Sequence, residues 1–206
     1  MIIFLFFIGH WYISLFFQTF FLHRYTSHGM FKMNSFWEKT FFFLTFLVQG
    51  SSFLQPAAYG AMHRRHHSFS DTKKDPHSPV WSNNIFSFMW GTFKEYRNLS
   101  TQFINDDSKS SDLPRWKSIE ILGESMIVRL LFILFYSSFY WIYAPSAWFF
   151  ILIPFHIFMG PIHGFIVNWF GHKNGYRNHP ELLDNSKNTL PVDLLMMGEL
   201  YQNNHH

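Results

Sequence analysis

The chain has 206 residues, 48% of them apolar with 28 phenylalanines, only 14% charged, and a formal charge of +3. An ordinary soluble domain carries about 25% charged residues, and the apolar residues here gather in blocks about as long as a bilayer is thick, which excludes a disordered chain and disfavours a soluble globule. Basic residues are interspersed with acidic ones, as in Lys73-Lys74-Asp75, which argues against a nucleic-acid surface, and the absence of cysteine leaves only nitrogen and oxygen donors for any metal.

The first apolar block, residues 1–22, carries no charge and lacks the basic start and small-residue cleavage site of a signal peptide, so it reads as a retained span. It ends in HRYTSH, with His23 and His28. On a continuous α-helix two residues five apart diverge, so the pair can converge only if the helix stops between them; Gly29 is compatible with such a stop. The second block, 36–54, opens with Glu38 and Lys39 and closes with Gln49, Ser51, Ser52 and Gln55. HRRHH follows. His63, His66 and His67 stand at i, i+3 and i+4, within roughly a 100° arc of one helix face, and can point into a single cavity.

Blocks three and four, 126–143 and 148–170, are separated by Ala144-Pro145-Ser146-Ala147, which predicts a hairpin of two spans. After the fourth block comes His172 in NWFGHKNGYR. The chain closes on QNNHH, with His205, His206, and Gln202 at the position that would complete a second HxxHH. No repeat or linker divides residues 1–206, which read as one domain.

All 16 basic residues fall on one side of the resulting map, none of them at the extreme N-terminus or in the 144–147 turn. The positive-inside rule makes that side cytoplasmic. Block two lies between basic segments on that same side, so it cannot cross completely. The expected architecture is an all-α integral membrane protein of about three transmembrane helices plus one re-entrant or interfacial helix, with the histidines forming a cytoplasmic cap.

A lone histidine at a membrane boundary is ordinarily a hydrated polar residue, and a structural zinc needs about four ligands. Eight histidines gather here, which suits two metals better. Imidazole serves iron, copper and zinc alike. The apolar surroundings point to a long hydrocarbon substrate and a metal that activates dioxygen.

HRYTSH, HRRHHSFSDTKKDPHSP, NWFGHKNGYR and GELYQNNHH resemble, in order, the boxes of membrane fatty acid desaturases of the stearoyl-CoA (Δ9) type, most like the bacterial acyl desaturases, over residues 11–206. The resemblance implies an O₂-dependent enzyme of the bacterial inner membrane that introduces a double bond, at Δ9, into a long saturated acyl chain. It implies two ferrous ions held by His23, His28, His63, His66, His67, His172, His205 and His206, with Asn168 reaching one of them through water. Many acyl-CoA desaturases have histidine where Gln202 stands; its carbonyl oxygen could bind a metal or orient a water. The acyl carrier would be CoA, acyl-carrier protein or a lipid. No haem-binding or ferredoxin-like segment is legible, so a separate ferredoxin- or cytochrome b5-like protein is expected to supply electrons. Such enzymes continue past the last box with a tail that covers the site, so a domain truncated at its C-terminus is expected.

Asp71, Asp75 and His77 are candidates to orient ligands from behind. Arg64, Lys73, Lys74 and Lys173 could hold a phosphate-bearing headgroup, or simply meet anionic lipid. His10, His156 and His163 lie within spans, where interhelical hydrogen bonding or lining a tunnel fits better than metal binding. Two other readings compete. A hydroxylase or ketolase of the same superfamily would share the ligands. A metal transporter would place ligands at the bilayer midplane, whereas these stand at span ends.

Overall fold

The computed structural model describes residues 1–106 and 112–206, and every regular element among them is a helix. The first apolar block forms α1 (Ile2–Phe17), which continues without a break into a π-helical segment, Gln18–Ser27. This 26-residue rod and α6 (Met126–Tyr143) are each long and apolar enough to cross a membrane. Leu130, Leu131 and Leu134 of α6 are more than half exposed. In water such a face would be a liability; against acyl chains it is matched to its solvent.

Two other helix pairs pass the same test only as bent units. α2 (Ser35–Gln49) leads through a tight turn at Gly50–Ser52 into α3 (Pro56–Phe69), with an 81° bend. The segment Ala147–Leu152 and α7 (Ile153–Ile157) meet α8 (Met159–Lys173) at 74°. By length and composition the chain therefore offers two to four crossings. The fourth apolar block, expected as a span, carries this second bend. Its cause is visible in the sequence: Pro161 has no N–H to give the Ile157 carbonyl, and Phe158 leaves the helical region at φ −114°, ψ 23°. The freed Ile157 carbonyl accepts instead from Ser51 Oγ at 3.1 Å, and the Gly160 amide donates to Ser52 Oγ at 3.1 Å. Serines of the first bend thus satisfy orphaned backbone groups of the second, which hydrocarbon could not do.

Outside the apolar rods, α4 (Ile85–Asn105) starts on a capping box of Asn84 and Ser87 and packs Tyr96 and Phe103 against Ala57, Ala58 and Met62 of α3. α5 (Lys117–Glu124) brings Glu124 to the Tyr96 and Ser100 hydroxyls and to Arg97 and Arg129. A second cluster, Phe21, Leu22, Phe42, Phe46, Phe53 and Ile119, locks α2 to the π-helical segment. The chain ends on a single turn, α9 (Gln202–His205).

Gly50 holds the α2–α3 bend at φ 53°, and a Cβ there would lie 2.1 Å from Tyr136 Oη and 3.0 Å from the Phe132 ring. Gly50→Ala is expected to cost about 1–3 kcal/mol through combined strain and overpacking. Thermal unfolding in detergent reads this directly, and an unchanged midpoint would show that the bend tolerates a side chain.

Candidate metal centre

Four separate segments supply the histidines, and the local backbone decides which way each set faces. His23 and His28 do converge, but not because the helix ends between them, so that expectation is corrected. The helix widens instead: the His28 amide donates to the His23 carbonyl at 3.1 Å, an i→i+5 bond, and Ser27 Oγ reaches Leu22 O over the same interval. In a π-turn residue i+5 sits above residue i, so the ladder continues while both imidazoles share one side. Termination comes just afterwards, at Gly29 (φ 60°), whose amide and that of Met30 return to Tyr25 and Arg24 carbonyls. Arg64 of α3 clamps this end, donating to the carbonyls of Thr26 and Ser27 and pairing with Asp112.

The three histidines of α3 do not share one cavity. His63 and His67, a turn apart, join His23, His28 and His205 in a five-residue group; His66, about 100° away on the helix, joins His172 and His206 in a group of three. Within each group one nitrogen per ring lies within 4.8 Å of all the others. In the larger group the Nε2 atoms run His23–His205 2.9 Å, His205–His67 3.1 Å, His67–His63 3.0 Å and His63–His28 2.9 Å. Two nitrogens bound at right angles to one first-row ion, each about 2.1 Å from it, stand about 3.0 Å apart. The observed spacing fits that arrangement.

The smaller group carries a second, independent sign. His66, His172 and His206 each turn Nδ1 to a carboxylate: Asp75 at 2.9 Å, Asp71 at 2.9 Å and Asp184 at 2.8 Å. Their Nε2 atoms are buried and have no hydrogen-bond partner. A carboxylate that accepts Nδ1–H fixes the tautomer and leaves the Nε2 lone pair facing inward, the arrangement a metal requires. In the larger group Glu199 lies 2.6 Å from His23 Nδ1, without the hydrogen-bond alignment of the other three pairs. The donor set therefore fits two metal ions.

Electrostatics agrees. Burial, and then the neighbouring His23 and His67, lowers His205 to about 2, while burial with His23 alongside lowers His28 to about 4. Both rings are neutral near pH 7, so a metal need not displace a proton from either. Burial alone would raise the Asp71 carboxyl. Hydrogen bonds from His172, Ser78 and the Asn185 amide outweigh it and hold Asp71 below the usual carboxylate range; His206 and Ser186 do the same for Asp184.

Asp71 and Asp75 come together in the loop after α3. Asp71 adopts φ 57° and donates its amide to Asp75 Oδ2, while Trp81 Nε1 caps the Asp71 carbonyl. His77 is buried; its backbone N–H goes to Asp75, and its ring stands edge-on to that of His66 at 5.6 Å. Asn203 and Asn204 of QNNHH tie the last turn down: Asn203 exchanges hydrogen bonds with both the amide and the carbonyl of His179, and Asn204 Oδ1 accepts from Asn178 and Asn188. Gln202 lies against Gly171 and donates Nε2 to the Glu199 carbonyl. Asn168 donates to Gly164 O and, with Gln202, lines a small cavity beside His23 and His63. Glu199 and Asp184 escape the sequence reading; Glu199 stands in the GELYQNNHH box itself, whereas nothing around Asp184 marks it.

Lys73, Lys74 and Lys173 lie over the rings of Trp81, Phe69 and Trp169 respectively, and Arg64 is occupied at the π-helix end. Within the apolar region His10 and His156 bond each other through Nδ1 at 2.6 Å and are completed by Val48 O and Tyr140 Oη.

A family model described as "Fatty acid desaturase" matches residues 1–206. The sn-1 stearoyl-lipid 9-desaturase of Synechocystis sp. is 32% identical over 89% of this chain and 54% of its own length. The Delta-9 desaturase-like 4 protein of Arabidopsis thaliana is 30% identical, covering 91% of this chain and 59% of its own. The hex-5-enoyl-[acyl-carrier protein] acetylenase of Moorena producens is 28% identical, with 97% and 64% covered. The chain thus spans between half and two thirds of the length of these relatives. No solved structure matches it.

Removing a supporting carboxylate is expected to weaken metal binding without touching a ligand. Asp71→Ala or Asp184→Ala should lower the affinity for Co(II) about 10–100-fold, read by competition with a chelator. Lys173→Ala, which sits one residue from His172 but faces Trp169, should leave it unchanged.

Proposed function

Because the chain belongs to the fatty acid desaturase family, we propose that it is an O₂-dependent acyl desaturase that introduces a double bond, at Δ9, into a long saturated acyl chain. The observation that carries this reading is the pair of inward-facing imidazole groups, one of them supported at all three rings by a carboxylate. His23, His28, His63, His67 and His205 hold one iron, and His66, His172 and His206 the other. Asn168 contributes through a water. Gln202 has its amide nitrogen engaged by Glu199 O, which leaves its carbonyl oxygen as the end that can face a water or an ion.

When bound, the iron pair couples reduction of O₂ to removal of hydrogen from two adjacent methylenes: R–CH₂–CH₂–R′ + O₂ + 2 e⁻ + 2 H⁺ → R–CH=CH–R′ + 2 H₂O. The protein's part is to fix the ligand atoms, to keep the tautomers of His66, His172 and His206 through Asp75, Asp71 and Asp184, and to exclude bulk water. Electrons come from a separate ferredoxin- or cytochrome b5-like carrier. The relatives' names point to different acyl carriers, an acyl-carrier protein in one and a lipid in another; CoA, acyl-carrier protein and lipid are the carriers proposed for this chain. Lys73, Lys74 and Lys173 are placed to meet such a headgroup, with Arg64 committed elsewhere.

The histidine cap faces the cytoplasm, in a bacterial inner membrane, with α2 and α3 forming a re-entrant unit and three other segments crossing. The 81° bend between α2 and α3 supports this, since a bent pair of this kind suits a re-entrant unit, and the basic residues on either side of it set its side.

Expression in a host auxotrophic for unsaturated fatty acids tests the reading. Monounsaturated acyl chains should appear and disappear with His66→Ala, and the purified protein should carry about two irons per chain. Hydroxylated lipids in place of alkenes would favour the hydroxylase reading, and a single zinc per chain would overturn the di-iron assignment.

A further inference from the structure

Beneath the five-histidine group, between the α1 rod, α3, α8 and the last residues of the chain, lies a cavity of about 30 Å³ whose walls include Gln18, Thr19, His163, Asn168, Glu199 and Gln202. Its deep end is unusual. His163 is fully buried, its ring standing edge-on to Trp11 at 4.5 Å, and neither ring nitrogen has a hydrogen-bond partner. Gln18 Oε1 and Thr19 Oγ1, on the opposite wall, are likewise buried and unpartnered. Four orphaned polar atoms around one small space are what a protein shows where bound water completes the hydrogen bonding, and the volume suits about two water molecules. A hydrocarbon chain would leave all four unsatisfied. His23 and His63 of the metal group also line the cavity, with Glu199 2.6 Å from His23 Nδ1 and slightly open to solvent. His10 and His156 provide the contrast: every nitrogen of that pair is satisfied by protein.

We propose that this chamber is a water site, that His163 with Gln18 and Thr19 positions its water, and that this water supplies protons to the five-histidine side. The proton role rests on the desaturase reading, in which each turnover consumes two protons and two electrons from the carrier protein and releases two waters. The water site itself does not. His163 is a positioning residue, since it acts through the water it orders.

The test separates the two parts. In structures of the zinc-loaded protein, ordered water should bridge His163 and Asn168, vanish in His163→Leu and partly return in His163→Gln. An empty chamber in the native protein, or acyl density filling it, overturns the proposal whatever the enzyme does. With iron loaded to the same content, His163→Leu should release about ten-fold more peroxide per double bond and lose the solvent deuterium effect on alkene formation, with His163→Gln restoring both towards native values. If peroxide yield and isotope effect are unmoved while the chamber is dry, the proton role falls and the desaturase reading stands. If native protein makes no alkene, that reading falls and the water density alone decides the site.

Discussion

Bringing eight imidazole rings together is an electrostatic and steric problem before it is a chemical one. Each ring offers two nitrogens, and only one may face inward. In three of the eight the choice is made by a carboxylate behind the ring, Asp75, Asp71 or Asp184. Asp71 and Asp184 are themselves held ionised by hydrogen bonds from Ser78, Ser186 and backbone amides. Much of the irregular structure around the cap serves this requirement: the left-handed turn at Asp71, the loop that carries Asp184, and the asparagines that seat the last turn.

The membrane rods solve a different problem with the same economy. Where the chain must bend inside an apolar setting, backbone groups lose their helical partners, and each needs a replacement. Ser51 and Ser52, at the bend after α2, supply those for the bend before α8. Two breaks that would each be costly in isolation become one bonded junction. It seats α8, and so Asn168 and His172, against the segment that launches α3.

How much of this the sequence discloses depends on the range of the interaction. The HxxHH spacing is legible because an α-helix translates it directly into direction. That His66 leaves its neighbours for a second group is not legible, since only the positions of α8 and the chain's end decide which side of α3 each ring finds. The widened turn at His23–His28 is hidden for a similar reason: the sequence announces two histidines that must meet, but a π-turn and an early stop both achieve it. Pro161 was a readable cause of the break in the fourth block. Asp184 carried no local mark at all, since an acid in a loop acquires its role only when His206 arrives from 22 residues away.

The division of labour on α3 has one more consequence. His66 and His67 are adjacent residues of one helix, yet they belong to different groups. The span from one group to the other is therefore bridged by a single peptide unit inside a regular helix, the stiffest connection a chain can make. Loops may breathe and the last turn may loosen, and ligands may be lost or regained. The gauge between the two groups stays fixed as long as one helical turn stays wound.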